Sequence, residues 1–327
     1  MILAGIDEAG YGPLLGPLVV GCCAFDIGPC ALGDDALAQL PCLWKRLRRL
    51  VGKSRDRAGR KIHVNDSKLV YSPSGGVGQL ERSVLAIAAA WQECDADLAG
   101  FLSRTAGHAV PELNACRWYR PAADERFPIE HDGMSIRLLA NALREEMKRE
   151  QAVCVEMSAR VVLEGSFNRM IAGTRNKGTA LFSTAAIHID RLLRLHGRDG
   201  LCIVCDRQGG RERYGSLLRL MFEDWSLVVV GERPDCSEYR LHRDGATVAI
   251  VFREKAEAQC LPVAVASMLS KYIRETLMRR FNAFWLGHVP NLAPTAGYYE
   301  DGTRFLRDIE PKRRELGIAD RDFVRSR

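Results

Sequence analysis

The chain opens on an apolar stretch, Met1 to Ile6, that runs directly into two adjacent carboxylates, Asp7 and Glu8, and then into the turn Ala9-Gly10-Tyr11-Gly12-Pro13. A short apolar run bounded by turn residues is a buried strand, so the two acids stand at a strand end. Neighbouring strand side chains point to opposite faces, and both acids can serve one site only where the strand finishes and the backbone bends. Gly10, Gly12 and Pro13 supply that bend. Paired acids without a nearby histidine or cysteine pair are hard oxygen donors, suited to Mg²⁺ or Mn²⁺ rather than zinc. The chemistry such donors serve is phosphoryl transfer.

At 327 residues the chain is long enough for a large core. Its 47 Lys and Arg against 41 Asp and Glu leave a net charge of +6, and the excess is clustered. Lys45 to Lys61 carries nine basic residues and one acid, Asp56, which points to a sequence-independent phosphate-binding arm. The eleven cysteines are an odd number without paired metal-binding spacings, so they read as reduced core residues of a cytoplasmic protein. Cys202 and Cys205 form a C-x-x-C within an apolar strand, where that spacing turns the thiols to opposite faces. No apolar run reaches the ~18 to 20 residues of a membrane span, and the N-terminus lacks the pattern of a signal peptide, so no membrane partner is expected.

Periodicity predicts a second buried strand over Leu18 to Phe25, a short basic helix over Leu40 to Val51 and a flexible arm over Gly52 to Gly59. Helices are expected over Gln79 to Glu93, Met134 to Gln151 and Thr179 to Leu195, and strands at Ala159 to Leu163, Leu201 to Cys205, Leu227 to Val230 and Val248 to Phe252. Pro262 suits the first turn of a long helix. Val265, Leu269, Tyr272, Ile273, Leu277, Phe281 and Phe284 mark its buried stripe, with Lys271, Arg274, Arg279 and Arg280 largely outside it. Leu98 to Asp132 gives no clear period. The alternation of strands and helices implies one α/β layer structure enlarged by insertions.

The string GIDEAGYGPLLGPLVVG resembles the opening of the type 2 ribonucleases H, the ribonuclease HII and HIII group. That resemblance implies an α/β ribonuclease H-like fold: a mixed central sheet flanked by helices, with insertions and a helical C-terminal extension. The corresponding division is a catalytic domain over 1–290, with insertions at about 28–62 and 98–135, and a basic extension over 291–327. It also implies a third acid after a buried strand, at Asp206, although Arg207-Gln208 stands where the family has Gly-Asn. A fourth acid precedes the long helix, where Glu257 matches the family's spacing and Glu254 competes with it. Asp7, Glu8, Asp206 and Glu257 would then be catalytic residues and ligands of two Mg²⁺ or Mn²⁺ ions.

The resemblance further implies substrate contacts from Gly10, Tyr11 and Gly12, from Ser67 and Lys68 of an Asp-Ser-Lys motif, from Ser267 and Lys271, and from Tyr298. Tyr11 stands where the family carries arginine, so the turn keeps its glycines and loses a permanent charge and its fork of donors. The activity implied is metal-dependent endonucleolytic hydrolysis of the RNA strand of an RNA/DNA hybrid, leaving 5′-phosphate and 3′-hydroxyl ends. Two other functions are expected to be distinguishable from it: a structure-selective nuclease on another nucleic acid, and a non-catalytic nucleic-acid-binding protein on the same fold.

Overall fold

In the computed structural model, all residues are described except 31, 33–39, 73–74, 94, 96, 122–124 and 327. Parts of the expected insertions, Cys94 and the terminal Arg327 of the basic tail lie outside the described residues. In chain order the strands are β1 (Ile2–Ala9), β2 (Leu18–Asp26), β3 (Val51–Gly52), β4 (Ile62–His63), β5 (Val153–Val162), β6 (Leu201–Asp206), β7 (Ser226–Glu232), β8 (Cys236–Arg243) and β9 (Ala246–Arg253). The helices are α1 (Leu43–Arg46), α2 (Ser67–Val70), α3 (Gly78–Trp91), α4 (Leu98–Ala106), α5 (Val110–Ala115), α6 (Gly133–Arg149), α7 (Glu164–Thr174), α8 (Lys177–His196), α9 (Gly215–Met221), α10 (Leu261–Leu286), α11 (Tyr299–Glu315) and α12 (Asp320–Phe323).

Seven strands form one sheet in the order β5-β2-β1-β6-β9-β8-β7. β1, β6 and β9 run parallel, and the strands outside them on both sides pair antiparallel. This is the expected mixed central sheet with flanking helices, internal additions and C-terminal helices. The period of two divides the central strands between two cores. Ile2, Ala4, Ile6, Ile203 and Cys205 pack on the face covered by α8, while Leu3, Cys202 and Val204 pack on the face covered by α10. Cys202 and Cys205 therefore do face opposite ways, both buried and free.

Helix α10 is buried along most of its 26 residues because it lies between the sheet and the other helices of its face. Two glycines let it come that close. A Cβ built at Gly5 would stand 2.1 Å from the Val263 backbone nitrogen, and one at Gly21 would stand 2.5 Å from the Ala266 carbonyl oxygen. Those contacts press the N-terminal half of α10 against β1, which carries Asp7, and against β2. Farther along, Phe281 and Trp285 are fully buried, each burial being worth about 2 to 3 kcal/mol. Phe323 stacks on Phe281 at 5.4 Å between ring centres, so the end of the chain enters the same core.

Several expectations change in detail. The basic helix is confined to Leu43–Arg46, because Val51–Gly52 pairs in parallel with Ile62–His63. The arm that follows is a closed loop rather than a flexible one: the Asp56 carboxylate accepts the backbone N–H groups of Ala58, Arg60 and Lys61. Arg274 and Arg280 of α10 are buried, with Arg280 bound to Glu125 and to the Tyr119 carbonyl. Residues 98–115 form α4, α5 and an intervening 3-10 turn, and β8 is a strand that the periodicity did not announce.

Candidate active site

The register of β1 and β6 places two of the acids side by side. These strands run parallel with Ile6 beside Cys205, so the next step along each brings Asp7 beside Asp206. Both belong to the face of the sheet covered by α10, as the alternation from Leu3 and Val204 requires. Glu8 points to the other face, and the bend after Ala9 lets it share the same strand-end region. Glu257 arrives from a 3-10 turn (Ala256–Ala258) whose preceding residue, Lys255, has left-handed backbone geometry. The Asp206 Oδ1 accepts the Ala256 N–H at 3.0 Å, which draws that turn against the end of β6. Glu254 instead pairs with Arg207 at 3.4 Å and is exposed to solvent, so Glu257 is the acid that faces the cluster.

Burial raises the pKa values of all four acids, and neighbouring acids add to it for three of them. Burial, then Glu8 and Asp206, hold Asp7 well above the usual carboxylate range. Burial and the charge of Asp206 push Glu8 up to about 8, and the same two causes push Glu257 up to about 7. Asp206 is also raised, chiefly by burial. The Glu257 Oε2 is buried without a hydrogen-bond partner. Among the described residues, no three His, Cys, Asp or Glu side chains are already arranged to hold a metal ion, yet neighbouring acids act on Asp7, Glu8 and Glu257, and Glu257 shares a side-chain hydrogen bond with Asp206. An all-oxygen donor set with an orphaned buried oxygen has the chemistry of a hard divalent-cation site.

The Asp-Ser-Lys motif reaches the same place. Asp66 caps α2 by accepting the Lys68 N–H at 2.9 Å, and the exposed Lys68 ammonium lowers the pKa values of both Glu8 and Asp206. The Ser67 hydroxyl lies 3.0 Å from that of Ser267 on α10, and Ser267 hydrogen-bonds the Asp7 carboxyl. Both serines are buried, so they brace the acid from behind. Lys271 pairs with Glu275 at 2.7 Å and lies 4.6 Å over the Tyr71 ring. Tyr298 is about half exposed, with the Arg274 guanidinium 5.9 Å from its ring centre.

Gly10 has φ +84°, and a Cβ there would meet the Pro17 carbonyl and Arg274 within 2.7 Å, so only glycine fits the turn. Gly12 faces open space. The Tyr11 ring lies beside Gly209, 5.0 Å from the Lys177 ammonium, and Arg211 also acts on its hydroxyl. Lys53 donates to the Ala258 carbonyl at 2.6 Å, next to Glu257. Sequence reasoning misses Lys177 and Arg211, and gives Lys53 only as one charge of the basic arm. No local pattern marks them for the site, because the fold alone brings their segments there.

No protein-family model matches the chain, and no curated protein matches its sequence. Among solved structures, it is similar to ribonuclease HII of Archaeoglobus fulgidus in its complex with PCNA, with 16% identity, a TM-score of 0.43, and coverage of 100% of this chain and 95% of that one. For ribonuclease H2 of Pyrococcus horikoshii the values are 12%, 0.39, 99% and 92%. For ribonuclease H3 of Aquifex aeolicus they are 13%, 0.39, 98% and 70%. At these values the likenesses carry none of the site assignments, which rest on the geometry above.

Proposed function

We propose that the protein is a divalent-metal-dependent endonuclease that hydrolyses the RNA strand of RNA/DNA hybrids, leaving 5′-phosphate and 3′-hydroxyl ends. The observation that carries this reading is the convergence of Asp7, Glu8, Asp206 and Glu257 at the ends of β1 and β6, with Lys68 facing them. Such a cluster is costly unless cations offset it. When bound, a pair of Mg²⁺ or Mn²⁺ ions would supply Lewis-acid stabilisation to an attacking water and to the leaving 3′ oxygen. Asp7 and Asp206, side by side, with Glu8 and Glu257 beside them, would hold such a pair. Ser67 and Ser267 hold Asp7 in place, and Lys68 offers a positive contact to a nucleic-acid phosphate.

A structure-selective nuclease acting on another nucleic acid is the second reading, favoured by Tyr11 in place of arginine and by the engagement of Arg207 with Glu254. The experiment is cleavage of a labelled hybrid by Asp206→Asn. The amide keeps the shape and loses the charge, so cleavage should vanish while the fold and hybrid binding persist. Activity within about threefold of the unmodified protein, under ~1 kcal/mol of barrier, would sink the carboxylate assignment.

A further inference from the structure

The turn at Gly10–Gly12 is gripped from beneath by a residue near the other end of the chain. Arg325 is only 2% exposed, and its guanidinium lies 4.0 Å over the Phe167 ring. It donates through Nη1 to the Gly10 carbonyl and through Nη2 to the Tyr11 carbonyl, the latter at 3.1 Å. Its own backbone N–H donates to the Leu14 carbonyl at 2.9 Å. The segment around it is pinned: the Asn168 amide donates to the Arg321 and Val324 carbonyls and its Oδ1 accepts the Ser326 N–H. Burying a guanidinium is expensive unless it is hydrogen-bonded and a counter-charge is near. The hydrogen bonds to Gly10 and Tyr11 meet the first need; for the second, Glu164 acts on Arg325 as a negative charge once ionised, and its Oε1 accepts the Gly16 N–H at 3.1 Å, at the far end of the same loop.

The consequence follows from peptide geometry. The peptide bonds of the turn are trans, and in a trans peptide a carbonyl and the N–H of the next residue point in opposite directions. Drawing the Gly10 and Tyr11 carbonyls inward turns the Tyr11 and Gly12 N–H groups outward. Among the described residues neither N–H makes a backbone hydrogen bond, and the space beside Gly12 is open.

We propose that Arg325 is a positioning residue, whose forked guanidinium fixes the Gly10–Gly12 turn in the orientation that presents its N–H groups and the Tyr11 ring to a nucleic-acid backbone. The substrate side of this inference rests on the nuclease reading above. A lysine keeps the charge but lacks the planar fork that spans two carbonyls.

The test uses the full chain with Arg325→Gln and Arg325→Lys, reading amide hydrogen exchange, thermal unfolding, and KM and kcat on an RNA/DNA hybrid. Losing charge-assisted bonds to the turn should speed exchange within residues 9–16 by roughly tenfold or more, with little change elsewhere. KM should rise by about tenfold and kcat stay within about threefold, the lysine variant falling between. If the glutamine variant does not fold, the lysine variant decides. Unchanged exchange at residues 9–16 in a folded variant, exchange raised evenly along the chain, a fall in kcat at constant KM, or failure of both variants to fold would overturn the positioning role. If the unmodified protein cuts no hybrid, the nuclease reading fails, while the exchange data still decide whether Arg325 sets the turn.

Discussion

Without a bound cation, the carboxylate cluster should make the fold less stable as pH rises. The Glu8 carboxyl has an ordinary pKa of 4.5 and is pushed up to about 8 in the folded protein, and Glu257 is held at about 7. Well below pH 4.5 both states keep the proton, and folding carries no penalty. Between pH 4.5 and 8 the unfolded chain releases protons that the folded chain retains, so stability is lost through that window and levels off above it. Each pH unit costs about 1.4 kcal/mol for one such group, which gives Glu8 about 3 kcal/mol by pH 7. Its neighbours are not simply added, because interacting acids titrate as a set. At roughly 2 °C per kcal/mol for a chain of this length, the melting temperature in EDTA should fall by about 6 °C between pH 5 and pH 8. Mg²⁺ or Mn²⁺ should restore more of it at pH 8 than at pH 5. Glu164, pushed up to about 7 by burial, adds a loss of the same sign that metal does not restore, so Glu164→Gln supplies the background. A melting temperature that is flat or rises with pH in EDTA, or equal metal stabilisation at both ends, would mean that the four acids are not buried beside one another as the structure has them.

Gly5→Ala should destabilise the fold by about 3 kcal/mol, because its Cβ would overlap the Val263 backbone; a loss under ~1 kcal/mol in urea unfolding would show that α10 moves aside easily. Tyr11→Arg should raise cleavage at a single embedded ribonucleotide relative to a continuous RNA strand by up to about tenfold, less than a full bidentate contact can give, because Lys177 and Arg211 already crowd that position. Neutralising the exposed Arg48 and Arg49 should flatten the dependence of log affinity on log salt by roughly 0.7 to 0.9 for each phosphate that is no longer neutralised. Neutralising Arg46 and Lys53, which are held by the carbonyls of Ile27 and Ala258, should change it less; equal effects from both pairs would contradict that division.

Much of the site was legible because it is local in the chain. The apolar run into Asp7 and Glu8, and the strand ending at Asp206, announce their own secondary structure, and the buried stripe of α10 follows its helical period. What escaped depends on partners distant in sequence. Arg274 and Arg280 fall outside the apolar stripe of the helix, and their burial shows only when the Ala296 carbonyl and Glu125 are seen to receive them. The pairing of Lys271 with Glu275, one turn on, was likewise not announced. The alternation in β8 is masked by charged residues at its partly buried positions, including Glu238 and Arg240, which pair with each other. Arg325 lies in a tail whose composition suggests solvent, and the packing of Phe323 into the core, with the Asn168 hydrogen bonds, carries it under the turn.

Whether these four carboxylates cut RNA is decided most directly by a cleavage map on end-labelled duplexes containing no RNA, one ribonucleotide or a full RNA strand, each with Mg²⁺, with Mn²⁺ and with EDTA. Cuts are expected within the RNA strand of the hybrid, with products bearing 5′-phosphate and 3′-hydroxyl ends, and no cleavage in EDTA. Cleavage that persists in EDTA, equal cutting of the all-DNA duplex, or tight hybrid binding without cleavage under either ion would contradict a metal-dependent ribonuclease.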